Sequence, residues 1–97
     1  MNLSPELAAR IAALAADCGA ERVLLFGSRA RGDNRARSDV DLAVFGLPEQ
    51  AQARFRLALD ELPTLLKCDV VAVRDGLDPE LLANITKEGV PLYEKGA

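Results

Sequence analysis

The chain has 97 residues, enough for one domain, and its apolar (49%) and charged (28%) fractions are those of an ordinary globular protein. Aromatics are only 4%, so sixteen Leu and sixteen Ala must supply the core, and the absence of His excludes Ser-His-Asp and Cys-His catalysis and any structural zinc site built on the two cysteines. A net charge of −3 argues against direct DNA binding through a broad basic surface, and no apolar run approaches the ~20 residues needed to span a membrane.

Ser4 and Pro5 read as an N-cap and a first helical position, Leu7, Ile11 and Leu14 follow at helical spacing, and Gly19 is a natural stop. This predicts a helix over roughly residues 5 to 18. The apolar run Arg22 to Phe26 predicts a strand ending at Gly27, and Ser28 to Gly32 a short helix capped by Ser28. A second strand is expected from Ser38 to Phe45. Pro48 opens the next helix, with Ala51, Phe55, Ala58, Leu59 and Leu62 as its apolar stripe and Pro63 as its end. Cys68 to Val73 predicts a third strand. Asp78 and Pro79 start a last helix that buries Leu81, Leu82 and Ile85 and stops at Gly89. Val90 to Tyr93 closes as a strand that Pro91 confines to a sheet edge. The alternation predicts an α/β domain spanning residues 1 to 97, with about four strands and helices packed on the sheet. With no basic segment followed by an apolar stretch at the N-terminus, a cytoplasmic protein with Cys18 and Cys68 as reduced thiols is expected.

The chemistry concentrates between Gly27 and Asp41. Asp39 and Asp41 flank Val40 on an expected strand, so their side chains share a face while Val40, Leu42 and Val44 point into the core. Two carboxylates on one face repel unless a cation lies between them, and a hard divalent ion such as Mg²⁺ suits oxygen ligands; a solvated strand end is the plain alternative. Gly27 and Ser28 form a turn between strand and helix, where free backbone N–H groups suit phosphate, although such turns are more often simple N-caps. Arg29, Arg31, Arg35 and Arg37 crowd the same segment. Arg29 and Arg31 are nearest the turn and suit phosphate; Arg35 and Arg37 fit a rim or a contact with an acidic partner. Asp69 opens the third strand, and if that strand lies beside the Asp39–Asp41 strand its carboxylate joins the pair; a salt bridge with a neighbouring Arg is the alternative. Three carboxylates, a phosphate-binding turn and no His describe a two-metal phosphoryl-transfer site, with Asp69 also able to take a proton.

Gly27-Ser28, Arg31-Gly32, Ser38, Asp39-x-Asp41 and Asp69 together resemble the signature of the minimal nucleotidyltransferases of the DNA polymerase β superfamily, and the resemblance spans nearly the whole chain. It implies a mixed sheet flanked by helices and transfer of a nucleotidyl group, usually from ATP. It implies Asp39, Asp41 and Asp69 as catalytic metal ligands for two Mg²⁺ ions, with Mn²⁺ not distinguishable from the ligands. Gly27 and Ser28 are implied at the triphosphate, with Arg29, Arg31 and Ser38 as further nucleotide contacts. Larger relatives carry a helical domain that holds the acceptor, so here the acceptor surface is expected from a second molecule or a homo-oligomer. The partner implied by the resemblance is a small helical protein of the HEPN type. In some such pairs the nucleotidyltransferase is an antitoxin that attaches AMP to a tyrosine of a ribonuclease; in others the helical member is a substrate-binding protein. A non-catalytic antitoxin that occludes its partner is the alternative.

Overall fold

The computed structural model describes residues 1–96. In chain order the elements are α1 (Pro5–Asp17), β1 (Arg22–Phe26), α2 (Ser28–Arg31), β2 (Val40–Phe45), a 3-10 turn (Glu49–Ala51), α3 (Gln52–Asp60), β3 (Cys68–Val73), α4 (Pro79–Glu88) and β4 (Val90–Glu94). The strands form one mixed sheet in the order β3-β2-β1-β4. β1 runs antiparallel to both β2 and β4, and β2 runs parallel to β3. This is a mixed four-stranded sheet flanked by helices, as the alternation of elements in the sequence predicts.

Local chemistry sets the helix starts. The Ser4 hydroxyl accepts the Leu7 N–H at 3.2 Å and Pro5 occupies the first turn, so α1 begins where an otherwise orphaned N–H is satisfied. Asp78 does the same for α4, accepting from the Glu80 N–H at 3.1 Å ahead of Pro79. Pro91 falls on β4, an edge strand paired only with β1, where the missing N–H interrupts no second ladder; the β1–β4 register shifts beside it, between Val23 and Leu24.

Helices cover both faces of the sheet, which is why β1 and β2 are apolar almost throughout instead of alternating. On one face, Leu7, Ile11 and Ala15 of α1 and Phe55 and Leu59 of α3 pack on Val23, Leu25, Val40, Leu42 and Val44. On the other, Ile85 of α4 is fully buried against Leu24 and Ala43. Among the described residues no helix is long and apolar enough to cross a membrane. Cys18 and Cys68 are both free thiols.

Four details differ from expectation. β2 starts at Val40, not Ser38, because Val40 is the first residue to join the ladder, its N–H donating to the Lys67 carbonyl at 2.8 Å; the Ser38 N–H instead closes a turn on the Arg35 carbonyl at 3.1 Å. Gly27, not Ser28, occupies the N-cap of α2, and no side chain caps that helix. Pro48 precedes a 3-10 turn, so α3 itself is delayed to Gln52. Leu82 is exposed: Leu81 and Ile85, four residues apart, share the face turned to the sheet, and Leu82 lies one position round the helix, clear of it.

Phe55 is the largest side chain with no exposure at all, in a core otherwise built from Leu, Ile, Val, Ala and Cys18. Phe55→Ala should therefore destabilise the protein by about 3–5 kcal/mol, a large share of a domain's total, read as a lower midpoint in urea denaturation with little change in slope.

Candidate active site

The site is organised by two strand pairings. Antiparallel pairing sets Phe26, the last residue of β1, opposite Asp41 in β2. The chain then turns at Gly27, whose φ of +75° and ψ of −157° place it in a region that only glycine occupies without strain. A Cβ at this position would overlap the Asp41 carboxylate. The glycine backbone therefore lies directly against that carboxylate. Ser28 follows as the first residue of α2, half-buried, and among the described residues its hydroxyl makes no hydrogen bond.

The second pairing is parallel and sets Asp41 beside Asp69 of β3. Residues in register on neighbouring strands point to the same face, here the α4 side that carries Ala43, Val71 and Val73. Asp39 stands just before β2 and is exposed. Asp41 feels all of these groups. Its carboxyl is pushed above the usual carboxylate range, first by burial and then by the negative charges of Asp69 and Asp39; Arg31 opposes the shift and Glu88 adds to it. The folded chain thus concentrates acids around one partly buried carboxylate.

The remaining expected contacts divide into two groups. Arg29 is 6% exposed and its guanidinium is spent on main-chain carbonyls: Nε donates to Ser38 at 2.9 Å, Nη1 to Asn2 at 3.0 Å and Nη2 to Ala36 at 3.0 Å. Ser38 uses its hydroxyl to accept the Arg35 N–H at 2.9 Å. Arg29 therefore departs from the expected nucleotide contact: it holds the loop that delivers Asp39 and ties it to the start of the chain, while Ser38 shapes the same loop and keeps its own O–H available to donate. Sequence reasoning missed this because a buried arginine and an exposed one look alike until the carbonyls that surround it are known. Arg31, by contrast, is half-exposed, with Nε on Asp33 at 3.1 Å and Nη1 on Glu88. Arg35 and Arg37 are exposed and make no ion pair among the described residues. Asp69 faces Lys67 at 3.5 Å, an exposed pair of the kind that contributes little. Glu88 is the other residue missed. Its one sequence signal is an acid in the last turn of a helix, where the backbone dipole disfavours negative charge.

The donors fit a hard divalent cation. They are carboxylate oxygens only, Asp41 is held in a partly desolvated position among like charges, and a cation would relieve both penalties. Among the described residues no three such side chains are gathered closely enough to hold an ion: the strand register pairs Asp41 with Asp69, and the three-carboxylate cluster expected from the sequence is not closed. The thiol of Cys68, raised mainly by burial and further by Asp60, Asp69 and Asp39, is a poor ligand beside them.

Because Asp41 ionises less readily folded than unfolded, its contribution to stability is intact below its ordinary value of 3.8 and is lost as the pH rises through the raised value. Asp41→Asn should therefore raise the melting temperature of chelator-treated protein at pH 7, and the gain should vanish as the pH falls below that ordinary value. A lower melting temperature at pH 7 would make Asp41 a structural anchor instead.

Comparison with known proteins agrees with this arrangement. Over 94% of its length the chain is similar to a solved protein described as a minimal nucleotidyltransferase, at 38% identity and a TM-score of 0.72, covering 96% of that protein. A toxin–antitoxin structure with AMP-PNP shares the fold at 24% identity and a TM-score of 0.69, over 92% of this chain and 74% of the other. A mutant of the toxin–antitoxin MntA–HpeT does so at 22% identity and a TM-score of 0.69, over the same shares of the two chains. No curated protein is significantly similar to the chain. The family described as Polymerase beta, Nucleotidyltransferase matches residues 11–97, nearly the whole sequence including the turn and all three aspartates, and the chain belongs to that family and is a nucleotidyltransferase.

Proposed function

We propose that this nucleotidyltransferase moves a nucleoside monophosphate, AMP from ATP, to a hydroxyl of an acceptor presented by a small helical partner of the HEPN type. Asp39, Asp41 and Asp69 would hold Mg²⁺, two ions in all with Mn²⁺ able to replace them, and the Gly27–Ser28 turn would hold the triphosphate. The observation that carries this reading is the position of Asp41, set between the Gly27 backbone on one side and Asp69 in register on the other. The turn proposed for phosphate and two of the proposed metal ligands are thereby neighbours on the sheet.

The metal, when bound, neutralises the triphosphate and makes the attacking hydroxyl more acidic. The chain's own groups do the rest. Backbone N–H groups at the turn and the Ser28 hydroxyl can donate to phosphate oxygens, which approach closely because residue 27 has no side chain. Arg31, at the end of the short helix that follows the turn, can add positive charge there and opposes the raised carboxyl of Asp41. As the acceptor oxygen bonds to the α-phosphorus, its proton passes to a carboxylate oxygen of Asp69. The bond from the α-phosphorus to the bridging oxygen breaks, and pyrophosphate leaves with that electron pair. Arg29 and Ser38 contribute at one remove, by fixing the loop before Asp39.

The toxin–antitoxin complexes among the structural neighbours, one of them with AMP-PNP, support placing the chain in a two-protein module as its antitoxin or nucleotide-binding subunit, and a cytoplasmic location belongs to the same proposal. The test is labelling. With α-³²P-ATP, Mg²⁺ and the partner, the wild-type chain should transfer label to the partner or to a small acceptor. The Asp39→Asn, Asp41→Asn double variant should lower transfer by at least about 100-fold, because metal ligands carry most of the stabilisation of developing charge. Undiminished labelling by a folded double variant would place the chemistry elsewhere. Partner neutralisation that survives this substitution would favour occlusion over transfer.

A further inference from the structure

We propose that Glu88 is a positioning residue for Arg31: it anchors the guanidinium at the end of α2, the helix that follows the Gly27–Ser28 turn, in the orientation that receives phosphate, and so makes the end of α4 part of the nucleotide site. The inference rests on the reading of Arg31 as a phosphate contact given above.

Three observations on different elements support it. First, Glu88 is placed against local preference. It is the last residue of α4, where the helix carbonyls carry partial negative charge, and an acid there is unfavourable unless a cation compensates. Arg31 is that cation, reaching it across 57 positions of sequence. Second, the two ends of the pair differ in exposure. The Glu88 side chain is 20% exposed against 47% for Arg31, so the fixed partner is the glutamate and the arginine extends from it into open space. Asp33, 62% exposed and two residues away on the same segment, holds Arg31 Nε, and Glu88 adds the grip from a distant element. Third, the helix end that carries Glu88 is itself tightly placed. Its C-cap is Gly89, and a Cβ there would come within 2.7 Å of Leu24 Cδ1, so the end of α4 lies close against β1, the strand that leads into Gly27.

The bonding leaves Arg31 usable. Nε is engaged by Asp33 and Nη1 by Glu88, while Nη2 makes no hydrogen bond among the described residues. A guanidinium has five N–H donors, so an arginine held in this way still offers a pair of donors to phosphate oxygens, already oriented. Glu88 also acts on Asp41, in the direction opposite to Arg31. What Glu88 supplies to Arg31 is direction.

The test is a double-mutant cycle on binding of α,β-methylene-ATP with Mg²⁺ by calorimetry, using Glu88→Ala, Arg31→Ala and the double variant, with circular dichroism melts to confirm folding. Glu88→Ala should weaken binding about five- to tenfold in the wild-type background and have no effect in the Arg31→Ala background. Glu88→Gln, which keeps an acceptor oxygen and the shape of the side chain, should retain most of the affinity and serves if the alanine variant unfolds. In steady-state transfer, Glu88→Ala should raise KM for ATP with kcat within about twofold, a split that general loosening of the fold would not produce. Wild-type affinity for both Glu88 variants, or an equal loss in both backgrounds, overturns the inference while leaving Arg31 as a phosphate contact. Full affinity in Arg31→Ala overturns that underlying reading and the inference with it.

Discussion

The contact between the Gly27 backbone and the Asp41 carboxylate is the constraint on which the rest of the molecule depends. It exists because β1 and β2 pair so that Phe26 faces Asp41, leaving the next residue no choice but to turn across the acid. Only glycine tolerates both the positive φ and the absence of room. Any side chain here would separate the turn from the carboxylate, and a phosphate held by the one could not share a cation with the other. The sheet that enforces this geometry is rigid for ordinary reasons: its two central strands are buried on both faces between α1 with α3 and α4.

That rigidity opposes an electrostatic penalty. Asp41 is partly buried and surrounded by Asp39, Asp69 and Glu88, and its raised carboxyl shows that ionisation works against the fold. The arginines meet the penalty in two ways. Arg29 is buried and neutralises nothing at the site; it clamps three carbonyls and so holds the loop before Asp39 in place. Arg31 is open, opposes the raised carboxyl directly and is itself held by acids from two elements. Two arginines two residues apart, one a staple and one a reachable charge, follow from the helical turn that points them to opposite sides.

Much of this was legible in the sequence, and the exceptions have a common cause. Ser4-Pro5, Asp78-Pro79 and Pro91 announced helix starts and an edge strand because capping and the missing proline N–H act locally. Asp41 and Asp69 could be joined only on condition that their strands were neighbours, and the parallel β2–β3 register meets that condition. What the chain did not reveal depends on distant partners. The burial of Arg29 needs the carbonyls of Asn2, Ala36 and Ser38, and the value of Glu88 needs Arg31, far away in sequence. Leu82 was expected inside because a stripe of leucines does not say how wide a surface it will meet, and α4 turns only Leu81 and Ile85 to the sheet. The cap of α2 moved from Ser28 to Gly27 because the turn against Asp41, not a hydroxyl, decides where that helix begins.

In the proposed mechanism the three aspartates share divalent cations beneath a bound triphosphate. Anomalous diffraction from crystals soaked in Mn²⁺ and α,β-methylene-ATP tests this. Manganese peaks bounded by Asp39, Asp41 and Asp69, with the phosphates lying over Gly27 and Ser28, are the expected result. Nucleotide bound away from the turn, or manganese coordinated without Asp41, would contradict it.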